Sequence, residues 1–316
     1  MRIFALAAAV GLLSATSAFA QLSELKIMAP AAPGGGWDQT ARTIQSTLQS
    51  EGLVSNIQVE NVGGAGGTIG LQQFVNNSNG DGSATIVGGY VMVGAIIAND
   101  SPVSLADVTP IARLTGEYVV VVAPANSEID NAEQLAEALR NDPGAVTWAG
   151  GSAGGVDHIA AGMFAKAAGA DPAAINYIPY SGGGEALAAL LGNQVTVGVS
   201  GYSEFSAQIE AGALKVIGIT APERQSYLDA PTFVEQGFDV DVQNWRMIAG
   251  APGISDEQRD TLTSTIRTMA ESDAWNKELE TKGWVNTYLD GPDFAEYLKG
   301  EIEQTGAILG ELGITQ

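Results

Sequence analysis

A chain of 316 residues is long enough for one large or two medium domains with a full core, so its lack of cysteine leaves nothing for disulfides to repair. Its 36 acidic and 14 basic residues give a formal charge of −22, which excludes nucleic acid and anionic membrane as partners. One histidine and no cysteine give no ground to expect a transition metal or other cofactor.

The chain opens on Arg2, an apolar run over 3–13 and Ala18-Phe19-Ala20. A basic start, a short apolar stretch and a small-residue site make a secretory signal peptide, with cleavage expected after Ala20. The run is shorter than the roughly 20 apolar residues that span a bilayer. No cysteine follows it to carry a lipid. The expected mature protein is therefore soluble, monomeric and free in a bacterial periplasm.

From residue 25 strands and helices alternate. A strand over 25–29 leads to Pro33-Gly34-Gly35-Gly36-Trp37-Asp38 and a helix carrying Ala41, Ile44 and Leu48 on one face. A strand over 57–61 leads to Gly63-Gly64-Ala65-Gly66-Gly67-Thr68 and a helix through Phe74. A strand over 84–87 ends in Gly88-Gly89-Tyr90 before a short helix over 91–97. Such alternation predicts an α/β protein with parallel sheet. Extended segments follow at 111–114 and 118–122, the second a valine run suited to a strand buried on both faces.

The alternation then restarts. A helix over 131–140 and a strand over 146–148 precede Gly150-Gly151-Ser152-Ala153-Gly154-Gly155, which opens a helix over 156–168. A strand over 175–178 leads to Tyr180-Ser181-Gly182-Gly183-Gly184-Glu185 and a helix over 186–191; one over 195–199 leads to Ser200-Gly201-Tyr202-Ser203-Glu204 and another helix. A strand over 215–220 follows. Extended pieces at 240–242 and 247–251 flank Asn244-Trp245-Arg246, and helices over 256–271, 273–282 and 292–309 close the chain. The restart places chain crossings near Val122 and Gln243. The expected lobes are 21–122 with 244–316, and 123–243, forming a hinged clamp with the site between them.

Four glycine clusters, 34–36, 63–67, 150–155 and 182–184, hold fourteen of the forty glycines, all at strand-to-helix turns. Each is either a tight turn or an anion nest of free N–H groups at a helix start. A dinucleotide reading of Gly64-Ala65-Gly66 fails, because the next strand ends in Gly88-Gly89 without the acid that would hold a ribose. Gly150-Gly151-Ser152-Ala153-Gly154 matches the nucleophile elbow of an exported α/β serine hydrolase, the alternative function. However, the one histidine, His158, lies six residues beyond Ser152, unlike a triad.

The remaining candidates have two readings each. Asp38 is an early-helix acid on its own dipole or a brace for the turn; Glu185 reads as the former. His158 bonds to backbone or orients a ligand from below. Tyr180, Ser181 and Tyr202 offer hydroxyls from turns. Arg246 is a salt-bridge partner or a bidentate carboxylate ligand at the second crossing.

In this order, Gly34-Gly35-Gly36-Trp37-Asp38, Val59-Glu60-Asn61 with Gly63–Gly67, Gly150–Gly155 with His158, Tyr180–Glu185, Asn244-Trp245-Arg246 and Ala251-Pro252-Gly253 resemble the receptors of tripartite tricarboxylate transporters, the TctC or Bug family. The likeness runs over essentially the whole mature chain. It implies a two-lobed periplasmic binding protein fold, type II-like, with two crossing strands as hinge. It also implies no catalysis, a small carboxylate ligand held mainly by backbone N–H groups and water, and delivery to a two-component membrane permease. A sensor's receptor subunit would share the site but not the partner. The glycine-tryptophan and glycine-glutamate motifs look most like the tricarboxylate branch, favouring a di- or tricarboxylate. The implied site takes Gly35, Gly36, Trp37 and Asp38 from the first turn and Gly66, Gly67 and Thr68 from the second. Gly89 and Tyr90 follow, then Ser152, Ala153, Gly154 and His158, then Tyr180, Ser181, Gly182 and Gly183, and finally Ser200, Tyr202 and Arg246.

Overall fold

The protein is described by a computed structural model covering residues 22–180 and 183–314. The expected signal peptide and the two site candidates Ser181 and Gly182 lie outside the described residues. Strands β1 (Glu24–Ala29), β2 (Asn56–Asn61) and β3 (Ala84–Gly89) pair in parallel, with β1 in the middle. Their carboxyl ends lead into helices α1 (Gly36–Ser50), α2 (Thr68–Asn77) and α3 (Tyr90–Ala98). α1 is a helix because Trp37, Ala41, Ile44 and Leu48 recur at helical spacing and bury one face against the sheet.

The segments at 111–114 and 118–122, expected as two, form a single strand, β4 (Thr109–Pro124). Thr115, Gly116 and Glu117 continue the extended backbone, and irregularities of register between Pro110 and Ala112 and between Arg113 and Thr115 let it twist. Val119, Val120, Val121 and Val122 are all fully buried, as a strand covered on both faces requires.

Past β4 come α4 (Ala132–Asn141), β5 (Thr147–Gly150), α5 (Val156–Ala167), β6 (Asn176–Pro179), α6 (Gly183–Leu191), β7 (Val197–Gly201), α7 (Tyr202–Glu210) and β8 (Leu214–Ile219). β5 pairs in parallel with β6 and β7, whereas β7 and β8 both lie antiparallel to the second half of β4. The segment 240–242 is not a strand; the chain becomes extended only at β9 (Gln243–Gly250), which runs antiparallel between β3 and β4.

The sheet is thus mixed rather than parallel, in the order β2-β1-β3-β9-β4-β7-β5-β6. Two parallel groups of strands are joined through the antiparallel pair β4 and β9. α8 (Asp256–Ala270), α9 (Asp273–Lys282) and α10 (Gly291–Glu311) follow, with a strand the periodicity did not reveal, β10 (Val285–Asp290), lying antiparallel to β4. α8 starts at a capping box in which Ser255 and Gln258 exchange hydrogen bonds. α10 begins near β4, where Tyr297 lies 4.0 Å beneath the Arg113 guanidinium, and ends near α5, where Lys166 pairs with Glu311 at 2.8 Å. The closing helix therefore reaches from β4 to α5.

The carboxyl ends of both parallel groups face one crevice, the usual ligand position in α/β sheets. Across its edge, Gly94 of α3 lies against the backbone of Gly154, so a Cβ at position 94 would collide with the Gly154 carbonyl. Gly94→Ala is expected to lower stability by about 1–3 kcal/mol through overpacking. Gly300→Ala on α10, where the space is open, should instead stabilise by about 0.4–1 kcal/mol. Thermal melting of the two variants checks both signs; equal effects would mean that the Gly94 contact is not built as described.

Candidate functional site

The first jaw of the crevice is the turn before α1. Asp38 is buried and braces it. Its Oδ2 accepts from Gly34 N–H at 2.8 Å, its Oδ1 accepts from Asn61 Nδ2 at 2.9 Å, and Arg42, one helical turn on, donates its Nε–H at 2.9 Å. Burial pushes this carboxyl up, but the donors outweigh it and hold it below the usual carboxylate range. The second turn, Ala65–Gly67, is closed by Gly67 N–H to Gly64 O, and the Thr68 hydroxyl donates to Ala65 O.

The opposite jaw repeats the device. Asp157, at the start of α5, accepts from Gly151 N–H at 2.7 Å. His158 accepts from Gly154 N–H through Nδ1 at 3.2 Å and stacks on Tyr177 with ring centroids 4.1 Å apart. The Tyr177 hydroxyl donates to Gly151 O. One difference separates the jaws: four residues past Asp157 stands Ala161, where the first jaw has Arg42. Burial without a paired cation, aided by Glu204 and Glu117, raises the Asp157 carboxyl to about 8 despite the Gly151 bond. Burial lowers His158 to about 4, so its imidazole is neutral, as an accepting Nδ1 requires.

The floor is β9 and β4. Arg246 is 1% exposed and forms a buried ion pair with Glu117. Glu117 also accepts from Ser203 Oγ at 2.9 Å and from Trp284 Nε1 at 3.2 Å. The Arg246 guanidinium stacks 4.7 Å from the Trp284 ring. A Cβ at Gly36 would stand 2.6 Å from Arg246 Nη2, so only glycine lets the first helix begin there. Arg246 is the buried salt-bridge partner of one reading, and it also faces the crevice, as the other reading required.

The crevice encloses about 390 Å³, within the usual range for small-molecule sites. Of the sequence candidates, Gly35, Gly36, Trp37, Gly66 and Gly67 line it from the first side, and Ser152, Ala153, Tyr180 and Gly183 from the second, over Arg246. Eight others do not line it. Asp38, Thr68, Gly154 and His158 hold the turns together by the bonds above. Gly89 lies beneath the Trp245 carbonyl, and Tyr90 packs edge-on to Trp245 on the far face of β9. The Ser200 hydroxyl donates to Glu204 at 2.6 Å, and Tyr202 packs on Tyr227. Glu185, read as a helix-start acid, lies at the crevice. So do Asp157, Glu204 and Asn244, which sequence reasoning did not select. Asp157 and Glu204 had a usable signal: each is an acid in the first turn of a helix that follows glycine, as Asp38 is. Among the described residues His158 bonds to the Gly154 N–H and not to Ser152.

The family model described as "Tripartite tricarboxylate transporter family receptor" matches residues 40–314. Protein BugT of Bordetella pertussis is 25% identical over 295 residues, covering 92% of this chain and 89% of the relative. Among solved structures, the periplasmic binding protein BugD superposes with a TM-score of 0.83 at 22% identity, over 93% of this chain and 98% of the other. MatC from Rhodopseudomonas palustris, solved with bound malate, gives 0.78 at 23% identity, over 91% and 99%.

The two perturbed groups oppose one another in pH. The folded state holds a proton on Asp157 that the unfolded chain releases near its ordinary 3.8, so this stabilisation is complete below that value and is lost as pH rises to about 8. His158 behaves oppositely: its contribution is present above 6.5 and is lost as pH falls to about 4. They offset one another between about 4 and 6.5. From 6.5 to 8 only the Asp157 slope remains of these two, up to about 1.4 kcal/mol per pH unit. The expected melting temperature therefore falls from pH 6.5 to 8, and Asp157→Asn flattens that fall while His158→Gln leaves it. An unchanged slope in Asp157→Asn would refute the assignment.

Proposed function

The chain belongs to the tripartite tricarboxylate transporter receptor family, and from that premise we propose that it captures a small organic carboxylate in the crevice and delivers it to a two-component membrane permease. The observation that carries this reading is the crevice itself. Two sets of parallel strands end in glycine turns on its two sides, and the buried Arg246 guanidinium in its floor keeps Nη1 without a hydrogen-bond partner among the described residues. Such a donor, next to the free N–H groups of a helix start, is suited to a carboxylate oxygen.

In this reading residues 1–20 are a signal peptide, and the mature chain works in the periplasm without catalysis. The lobes are 21–122 with 244–316, and 123–243, closing about β4 and β9. The malate bound by MatC makes a dicarboxylate-sized acid the natural starting ligand. Trp37, 8% exposed in the wall, limits its size.

A ligand that binds only the folded protein stabilises it by about 2.7 kcal/mol at a hundredfold excess over Kd. A panel of mono-, di- and tricarboxylates, aromatic acids and amino acids is therefore expected to contain acids that raise the melting temperature in proportion to the logarithm of their concentration. A panel that moves it nowhere would overturn the receptor reading.

A further inference from the structure

The crevice holds two acids that no lysine or arginine pairs among the described residues. Asp157 and Glu204 both line it, Asp157 buried and Glu204 half-buried, and both are arranged as acceptors, from Gly151 N–H at 2.7 Å and Ser200 Oγ at 2.6 Å. Donors aimed at a carboxylate favour its ionised form, yet neither acid has a salt-bridge partner among the described residues. Arg246 is the one lysine or arginine lining the crevice there, and Glu117 already holds it. The other groups acting on this pair are Glu117 and the Tyr177 phenol, and neither supplies positive charge. Among the described residues no cluster of three or more ligating side chains could hold a metal ion in its place.

A second observation points to a ligand independently. The Arg246 side chain is 2% exposed and lines the same crevice, yet Nη1 has no hydrogen-bond partner among the described residues. Two residues earlier on the same face of β9, buried Asn244 Oδ1 is also without one among the described residues. The floor therefore offers a donor, and an acceptor stands beside it.

We propose that the ligand is a zwitterion, a small amino acid whose carboxylate takes Arg246 Nη1 and the first-turn N–H groups, and whose ammonium group is received by Asp157 and Glu204. This rests on the receptor reading and narrows its ligand class. The ammonium supplies the countercharge that the second jaw lacks. On its entry, the proton held by Asp157 passes to the solvent. A second carboxylate placed there would instead need both acids to be protonated, and a tricarboxylate would compound the repulsion.

Isothermal titration of the full mature chain at pH 7, in two buffers of different ionisation enthalpy, tests this. The probes are alanine, leucine and glutamine, their analogues lacking the amine or carrying a hydroxyl in its place, and succinate, malate and citrate. The expected result is at least one amino acid binding tenfold or more tighter than its analogues, with net proton release. Glu204→Gln and Asp157→Asn should each weaken it tenfold or more while the melting transition stays cooperative. Analogues that bind as tightly as the amino acid, net proton uptake, or a Glu204→Gln variant that binds equally well would overturn the proposal. If only the plain or hydroxylated acids bind, the receptor reading stands and this one falls. If no probe binds, both fall.

Discussion

The buried pair between Glu117 and Arg246 is the constraint around which the crevice is built. Its two residues come from β4 and β9, the strands shared between the two parallel groups, two positions apart in their register. Removing two charges from water is costly, and a buried pair persists only when further hydrogen bonds satisfy its remaining atoms. Glu117 obtains these from Ser203 on α7 and from Trp284 between α9 and β10. One carboxylate thereby ties β4 and β9 to elements on both sides. The glycines above it follow from the same constraint: side chains at Gly36 or Gly201 would run into Arg246 or Glu117. Glycine at these turns serves the floor as well as any ligand.

A guanidinium has five donors in a fixed fork, and no single carboxylate can use them all. Because Glu117 approaches Nη2, the orientation of Arg246 is fixed before a ligand arrives, and Nη1 is left buried without a hydrogen-bond partner among the described residues. Such preorganisation reduces the ordering cost of binding. A formal charge of −22 opposes an anionic ligand at long range. The surface charges are screened over about 10 Å at ordinary ionic strength, whereas the crevice is governed by groups within a few ångströms.

What was legible in the sequence was local. Glycine clusters after apolar runs marked the turns, and the valines of β4 marked a strand covered on both faces. Asp38 could be read as a brace because its acceptors bind its own turn. Non-local features were out of reach. β10 is a strand because it lies along β4, not because Val285–Asp290 alternates cleanly. Tyr90 follows a glycine turn, as the true lining residues do, but strand alternation at β9 sends its neighbour Trp245 to the face opposite Arg246. Whether Arg246 was a salt bridge or a ligand group could not be chosen from spacing, since Glu117 lies 129 positions away.

The two aspartate-braced turns show how one position sets the character of a jaw. Both helices begin after glycine, and both carry an early acid that accepts from the backbone N–H of the turn. A free helix start attracts anions, and an ionised acid there offsets that attraction. In α1 the Asp38 charge is matched by Arg42, which leaves the field of the helix start available to a carboxylate. In α5 the position equivalent to Arg42 is Ala161, and Asp157, without a salt-bridge partner among the described residues, is raised by burial to about 8 and keeps its proton at neutral pH. The two jaws share a backbone plan but differ in the protonation of the bracing acid, a difference that tracks the residue four places beyond each aspartate.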